Sequence, residues 1–192
     1  MQSRILNPNT CDRIQKICLT QLNTQNTYTD PEIDLLEEEE SLILVIPNYN
    51  EMNDRPKVII YEEQVFSVGE DTFIDSTAEN NYAVVFEDNT ETGYFYAIDR
   101  NNDKLDILDA LHIYNVANIS DKVKPSTLKI LWSEDLTKAF LSINNYYHAV
   151  FDFENKAGYC RTGFPNSNNK WTLITERHLS DDLLIELSRN KN

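Results

Sequence analysis

The chain has 192 residues, 41% of them hydrophobic and 26% charged, with a formal net charge of -15. This composition excludes collagenous, low-complexity and membrane-like chains. Ten Tyr and eight Phe exceed what a disordered tail carries, so a single folded domain with a real core is expected. The charge is unevenly placed. Residues 30 to 110 hold 22 acids and 4 bases, net -18, so the remainder sums to +3. Such a field repels nucleic acid and anionic membrane and favours a basic protein partner.

In chain order, Met1 to Pro8 lack the apolar run of a secretory signal, and no later run reaches the roughly 20 residues of a membrane span. Cys11, Cys18 and Cys160 are too sparse for a disulfide framework. A reduced, cytoplasmic protein is the expectation. Thr10 is an N-cap for a helix in which Ile14, Ile17, Cys18 and Leu22 share one apolar face. Asp30-Pro31 opens a second helix, which Glu37, Glu38, Glu39 and Glu40 end early because four carboxylates oppose the dipole at its C-terminus. Leu42 to Ile46, stopped by Pro47, reads as a central strand, and 48–56 as a long loop.

Lys57 to Tyr61, Gln64 to Val68, Tyr82 to Phe86 and Gly93 to Ile98 are rich in β-branched and aromatic residues, the last two forming a hairpin. A further strand from Lys104 to Val116 is out of phase at Leu108 to Ala110, which predicts a bulge. Leu128 to Trp132, Lys138 to Ile143, Tyr147 to Phe153 and Gly158 to Arg161, joined by segments rich in turn formers, predict an antiparallel meander. Ser180 caps a closing helix with Asp181 and Asp182 in its first turn and Leu183, Leu184 and Leu187 on its face. The expected fold is α+β: one domain, with a helical segment and first strand over 1–46, an antiparallel sheet core over 57–175 and a C-terminal helix over 180–190.

Asp99, Asn101, Asp103 and Asp106 space oxygen ligands like the start of a calcium loop, but Lys104 stands where Gly is needed and Ala110 where the closing Glu belongs. A polar turn explains them better. Cys160 and His148 could form a thiol and base beside Tyr147, with Cys160 placed opposite Val150 and diagonal to His148 by a tight hairpin, but a buried structural Cys beside an edge His is the stronger expectation. His112, His148 and His178 show no zinc spacing, and four Gly supply no phosphate loop. No metal or cofactor is expected. The acids interleave with aromatics at Tyr61, Glu62 and Glu63, at Glu87 and Asp88, and at Glu91 with Tyr94 and Tyr96. Aromatic contact area flanked by steering carboxylates is the composition of tight inhibitor surfaces. These residues and Glu37 to Glu40 are the candidate partner-binding set.

The runs Val85 to Asp99, Ile107 to Val116, Trp132-Ser-Glu-Asp135, His148 to Phe153 and Gly158 to Thr162 resemble a bacterial domain-of-unknown-function family over about residues 55 to 165. The helical N-terminus falls outside that likeness, which implies a small bacterial domain and transfers no catalytic residue. By class, small acidic strand-rich proteins of this sort are similar to immunity proteins, which occlude a toxin. A cationic toxin, such as a nuclease, is the expected partner. The alternatives are a small hydrolase or ligand-binding enzyme with a His148 and Cys160 pocket, and a regulatory module with a homotypic partner.

Overall fold

A computed structural model describes residues 58–78, 81–101, 106–166 and 169–189. The segments expected as two N-terminal helices, as a strand over Leu42 to Ile46 and as a loop over 48–56, with Glu37 to Glu40, lie outside the described residues. The described chain is mostly antiparallel β-sheet with a C-terminal helix. Its strands are β1 (Val58–Phe66), β2 (Thr72–Thr77), β3 (Tyr82–Asp88), β4 (Thr92–Asp99), β5 (Asp106–Asn115), β6 (Ser126–Ser133), β7 (Lys138–Ile143), β8 (Tyr146–Asp152) and β9 (Ala157–Cys160). The helix, α1, spans Asp181–Ser188.

Two sheets form, in the orders β1-β6-β7-β8-β9 and β2-β3-β4-β5. The main core lies between them. Phe66, Leu128, Ile130, Trp132, Leu141 and Phe151 from the five-stranded sheet meet Ile74, Val84, Phe86, Phe95 and Leu111 from the four-stranded one. The Phe95 and Phe151 rings stack across that gap at 5.2 Å, and Trp132 Nε1 donates to Ser76 Oγ at 3.1 Å. Alternate residues of each strand face this layer, as the two-residue period of a pleat requires.

The connections follow turn chemistry. Asn144 and Asn145 take φ of 51° and 62°, and a two-residue loop with both angles positive matches the twist of a hairpin. At the β3–β4 tip, Asn89 Oδ1 accepts from the amides of Glu91 and Thr92 at 3.1 and 2.9 Å. Gly69, between β1 and β2, has φ of 89°, and a Cβ there would stand 2.9 Å from Val116 Cγ1. The expected bulge in β5 exists: Ala97 pairs with Asp109 and Ile98 with Ile107, leaving Leu108 extra.

Two expectations change. Lys57 to Tyr61 and Gln64 to Val68 are not separate strands; β1 runs through Glu62 and Glu63 with a bulge at Tyr61. As an edge strand it can turn carboxylates to solvent without breaking its pairing. Strand β2 was not anticipated, because only Phe73 and Ile74 are apolar in Thr-Phe-Ile-Asp-Ser-Thr. Its partner β3 defines it, with register running from Thr72↔Asp88 to Thr77↔Ala83.

Helix α1 forms as expected: Ser180 Oγ accepts from the Leu183 amide at 3.1 Å, and Asp181 and Asp182 sit in the first turn. It buries Leu184 against the outer face of the five-stranded sheet, where Leu131, Phe140, Val150 and Leu179 make a second cluster. Among the described residues no helix is long and apolar enough to cross a membrane.

Candidate functional site

The acidic and aromatic residues singled out by the sequence do not gather on one face. Tyr61, Glu62 and Glu63 lie together on β1, where Tyr61 is 39% exposed and Glu63 pairs with Lys129 at 3.4 Å. Glu87, Tyr94 and Tyr96 form a separate group on the outer face of the four-stranded sheet. Glu87 pairs with Tyr94 across the ladder, the two Tyr rings stack at 5.9 Å, and Tyr96 Oη donates to Glu87 Oε2 at 3.1 Å. Glu91 is exposed at the β3–β4 tip.

Burial separates these groups further. Glu87 is 3%, Tyr96 2% and Asp88 0% exposed, so none of the three is an open docking residue. Asp88 is instead a structural acceptor. It takes the Gly69 amide and the Tyr114 hydroxyl, both at 2.7 Å, on Oδ2, and the Thr90 amide at 2.9 Å on Oδ1. Burial first, and then the hydrogen bond to and charge of Asp88, push the Tyr114 phenol far above its ordinary range. Alternation along β3 hid this role, because Phe86-Glu87-Asp88 reads the same whether the acids face solvent or partners.

The Cys160 and His148 pair does not form. Cys160 pairs with Ala149, not Val150, and a one-residue register shift exchanges the faces of a strand. The thiol joins the inter-sheet core, with Sγ 3.3 Å from Thr162 Oγ1 and 3.4 Å from the Phe164 carbonyl. His148 is the extra residue of a bulge between Leu141/Ala149 and Ser142/Tyr147, and its ring packs edge-on to Tyr146 at 5.1 Å. Burial, and then the Arg161 charge, push His148 down to about 4, while burial pushes Tyr147 up to about 12. Asp99 and Asp106 face each other across the β4–β5 ladder, and Asp99 Oδ1 accepts the Asn101 amide at 2.8 Å, as in an ordinary turn. Residues 102–105 lie outside the described residues.

A cluster that sequence reasoning missed closes one side of the sandwich. Arg177 and Asp109 form a buried ion pair, their side chains 1% and 3% exposed. Arg177 Nε donates to the Gly158 carbonyl and Nη1 to the Pro165 carbonyl, each at 3.0 Å. Asp109 also accepts from Asn169 Nδ2 at 2.8 Å, Thr172 Oγ1 at 2.5 Å and the Ala110 amide at 2.8 Å. The segment after β9 thereby bridges the β9 edge of one sheet and the β5 edge of the other. Thr162 Oγ1 donating to the His112 carbonyl at 2.7 Å and the His112 amide donating to the Phe164 carbonyl at 3.0 Å add to the seam. The only hint in the sequence is an acid within Ile107-Leu-Asp-Ala-Leu111, since an aspartate among apolar strand residues needs a partner.

Arg161 supports the same side, donating from Nε to the Tyr147 carbonyl and from Nη1 to the Leu179 carbonyl, each at 2.9 Å, and pairing with Asp181 at 2.7 Å. Among the described residues no three His, Cys, Asp or Glu side chains converge as a metal site.

The seam lies within a stretch that matches a family pattern. Residues 66–188 match DUF2251, an uncharacterized protein family conserved in bacteria. The chain belongs to DUF2251. Its DUF2251 region starts at the last residue of β1 and runs to the end of α1, so the seam falls inside it and most of β1 precedes it. An uncharacterized protein of Haemophilus influenzae is 43% identical over 99 residues, 50% of this chain and 62% of that relative. The match thus spans less than two thirds of the relative's length. No solved structure matches the chain.

Proposed function

We propose that this DUF2251 protein acts by binding, docking an acidic and aromatic edge onto a cationic protein and occluding it, as an immunity protein does to a toxin. Strand β1 carries the proposal. Ile59, Tyr61 and Val65 are 45%, 39% and 64% exposed on a strand that ends its sheet, and they flank Glu62, Glu63 and Gln64. Large exposed apolar side chains on a sheet edge supply contact area and strand-pairing groups, and the carboxylates supply attraction at a distance.

The short turn to β2 adds Glu70 and Asp71 on the same side. Over the described residues 58–110 there are eleven acids and one base, against nine of each over 116–189. The negative field is therefore centred on β1 and the four-stranded sheet, and it would accelerate encounter with a basic partner without raising affinity in proportion. A partner-binding surface so composed needs no cofactor.

The test is a toxin encoded beside this protein, produced with and without it in a sensitive host. The proposal expects rescue of growth, and a Glu62→Lys/Glu63→Lys variant that associates about tenfold more slowly with a flatter salt dependence. Failure to rescue, or association rates unmoved by the charge reversal, contradicts it.

A further inference from the structure

We propose that the outer face of the four-stranded sheet is the docking site of this chain's own N-terminal helix, Thr10 to Leu22. The face is apolar and buried: Val85 and Ile98 are 0%, Ala83 1% and Tyr96 2% exposed. Yet this third cluster, including Phe73, Ile107 and Ala110 at its margins, draws its described members from β2, β3, β4 and β5 alone. The equivalent outer face of the other sheet has Leu179 and α1 over it. A valine in the middle of a sheet loses all exposure only beneath another layer, and Phe73, Glu87, Tyr94 and Tyr96 on this face all have partners.

The occupant follows from what the chain holds in reserve. Fifty-seven residues precede β1, and the stretch Thr10 to Leu22 has a stripe of Ile14, Ile17, Cys18 and Leu22 to bury. Such a helix is about 20 Å long, enough to cross four strands spaced about 4.8 Å apart. Its charge is complementary. Residues 1–29 carry Arg4, Arg13 and Lys16 against Asp12, whereas the described residues of 72–115 carry seven acids and one base. Asp75 flanks the apolar patch as the register partner of Val85, and it is placed to receive Arg13 or Lys16. The Thr10 to Leu22 segment lies outside the DUF2251 region of residues 66–188.

Disulfide trapping in the full chain tests the proposal. With Cys11→Ser and native Cys18, a second cysteine is introduced by Ala83→Cys or Ala110→Cys on the sheet, or by Glu186→Cys on α1 as a control. Mild oxidation is expected to give cross-linked monomer for the sheet positions and none for the control. Equal trapping at the control, no trapping on the sheet, or cross-linked dimer in place of monomer would each overturn it, the last by assigning the face to a second copy. A second readout is cleavage by trypsin after Arg13 and Lys16. In Ile14→Asp/Ile17→Asp it should accelerate about tenfold, with cleavage after the exposed Lys122 and Lys124 unchanged. Equal rates at Arg13 and Lys16 in both proteins would count against docking.

Discussion

The two sides of the sandwich solve the same problem differently. On one side, the β9 and β5 edges are bridged by the segment that follows β9: Arg177 reaches Asp109 on β5 and the Gly158 carbonyl on β9, and the His112 backbone exchanges hydrogen bonds with Thr162 and Phe164. On the other side β1 and β2 are end strands among the described residues, with a short turn between them, and exposed Ile59, Tyr61 and Val65 stand beside carboxylates. Arg177 and Asp109 on the first side are buried and hydrogen-bonded, whereas Glu63, Glu70 and Asp71 on the second are exposed. The same residue types therefore hold the fold together in one place and remain exposed in the other. Charge content alone does not separate these roles; the partner of each charge does.

Breaking the seam should have the largest effect. Arg177→Ala leaves Asp109 buried without its counter-charge and should cost about 3 to 5 kcal/mol in urea unfolding. A loss under about 1 kcal/mol would mean that the pair is not a structural closure. Gly158→Ala comes next. Its Cβ would lie 2.8 Å from Phe151 Cε1 and 2.9 Å from Arg177 Nη2, so a destabilisation of about 1 to 3 kcal/mol is expected from overpacking.

The third prediction is a pH effect on the closed side. The native state holds His148 near 4, below the 6.5 of the unfolded chain, so the unfolded state binds a proton first as pH falls. His148 imposes no penalty above pH 6.5, and stability drops as pH goes from 6.5 toward 4. Urea midpoints of His148→Gln should therefore fall less steeply across that window than those of the native chain; parallel slopes would sink the assignment. The smallest effect belongs to the open side. Val65→Lys should change stability by no more than about 0.5 kcal/mol while weakening partner binding, and a large stability loss would show that β1 is part of the closed architecture.

Much of this fold was legible from local pattern, and the site was not. The hairpin of β3 and β4, the meander from β6 to β9, the β5 bulge and the Ser180 cap all rest on neighbours a few residues apart. Strand β2 and the continuity of β1 were missed because an edge strand tolerates polar residues that break the alternating pattern. Cys160 is the buried structural thiol its residue type suggests, but its placement opposite Val150 was off by a single residue of register. The Asp109 to Arg177 pair was invisible for a different reason: its members are 68 residues apart, and no periodicity marks an arginine that will end up buried. The acidic asymmetry was correctly seen as a property of the chain, but only three-dimensional pairing separates Asp88, which clamps Gly69 and Tyr114, from Glu63, which faces solvent beside Lys129.

Native-state hydrogen exchange, read along the chain at increasing urea, tests the contrast most directly. The amides of Cys160, Leu179 and His112, which donate to Arg177, Cys160 and Phe164, should exchange only through global unfolding, although two of their partners lie in a segment with little regular structure. Amides of β1 that do not donate to β6 should exchange through local opening with little urea dependence. If the seam amides exchange as fast as those β1 amides, the C-terminal segment is a loose loop, and the division between a closed side and a recognition side is wrong.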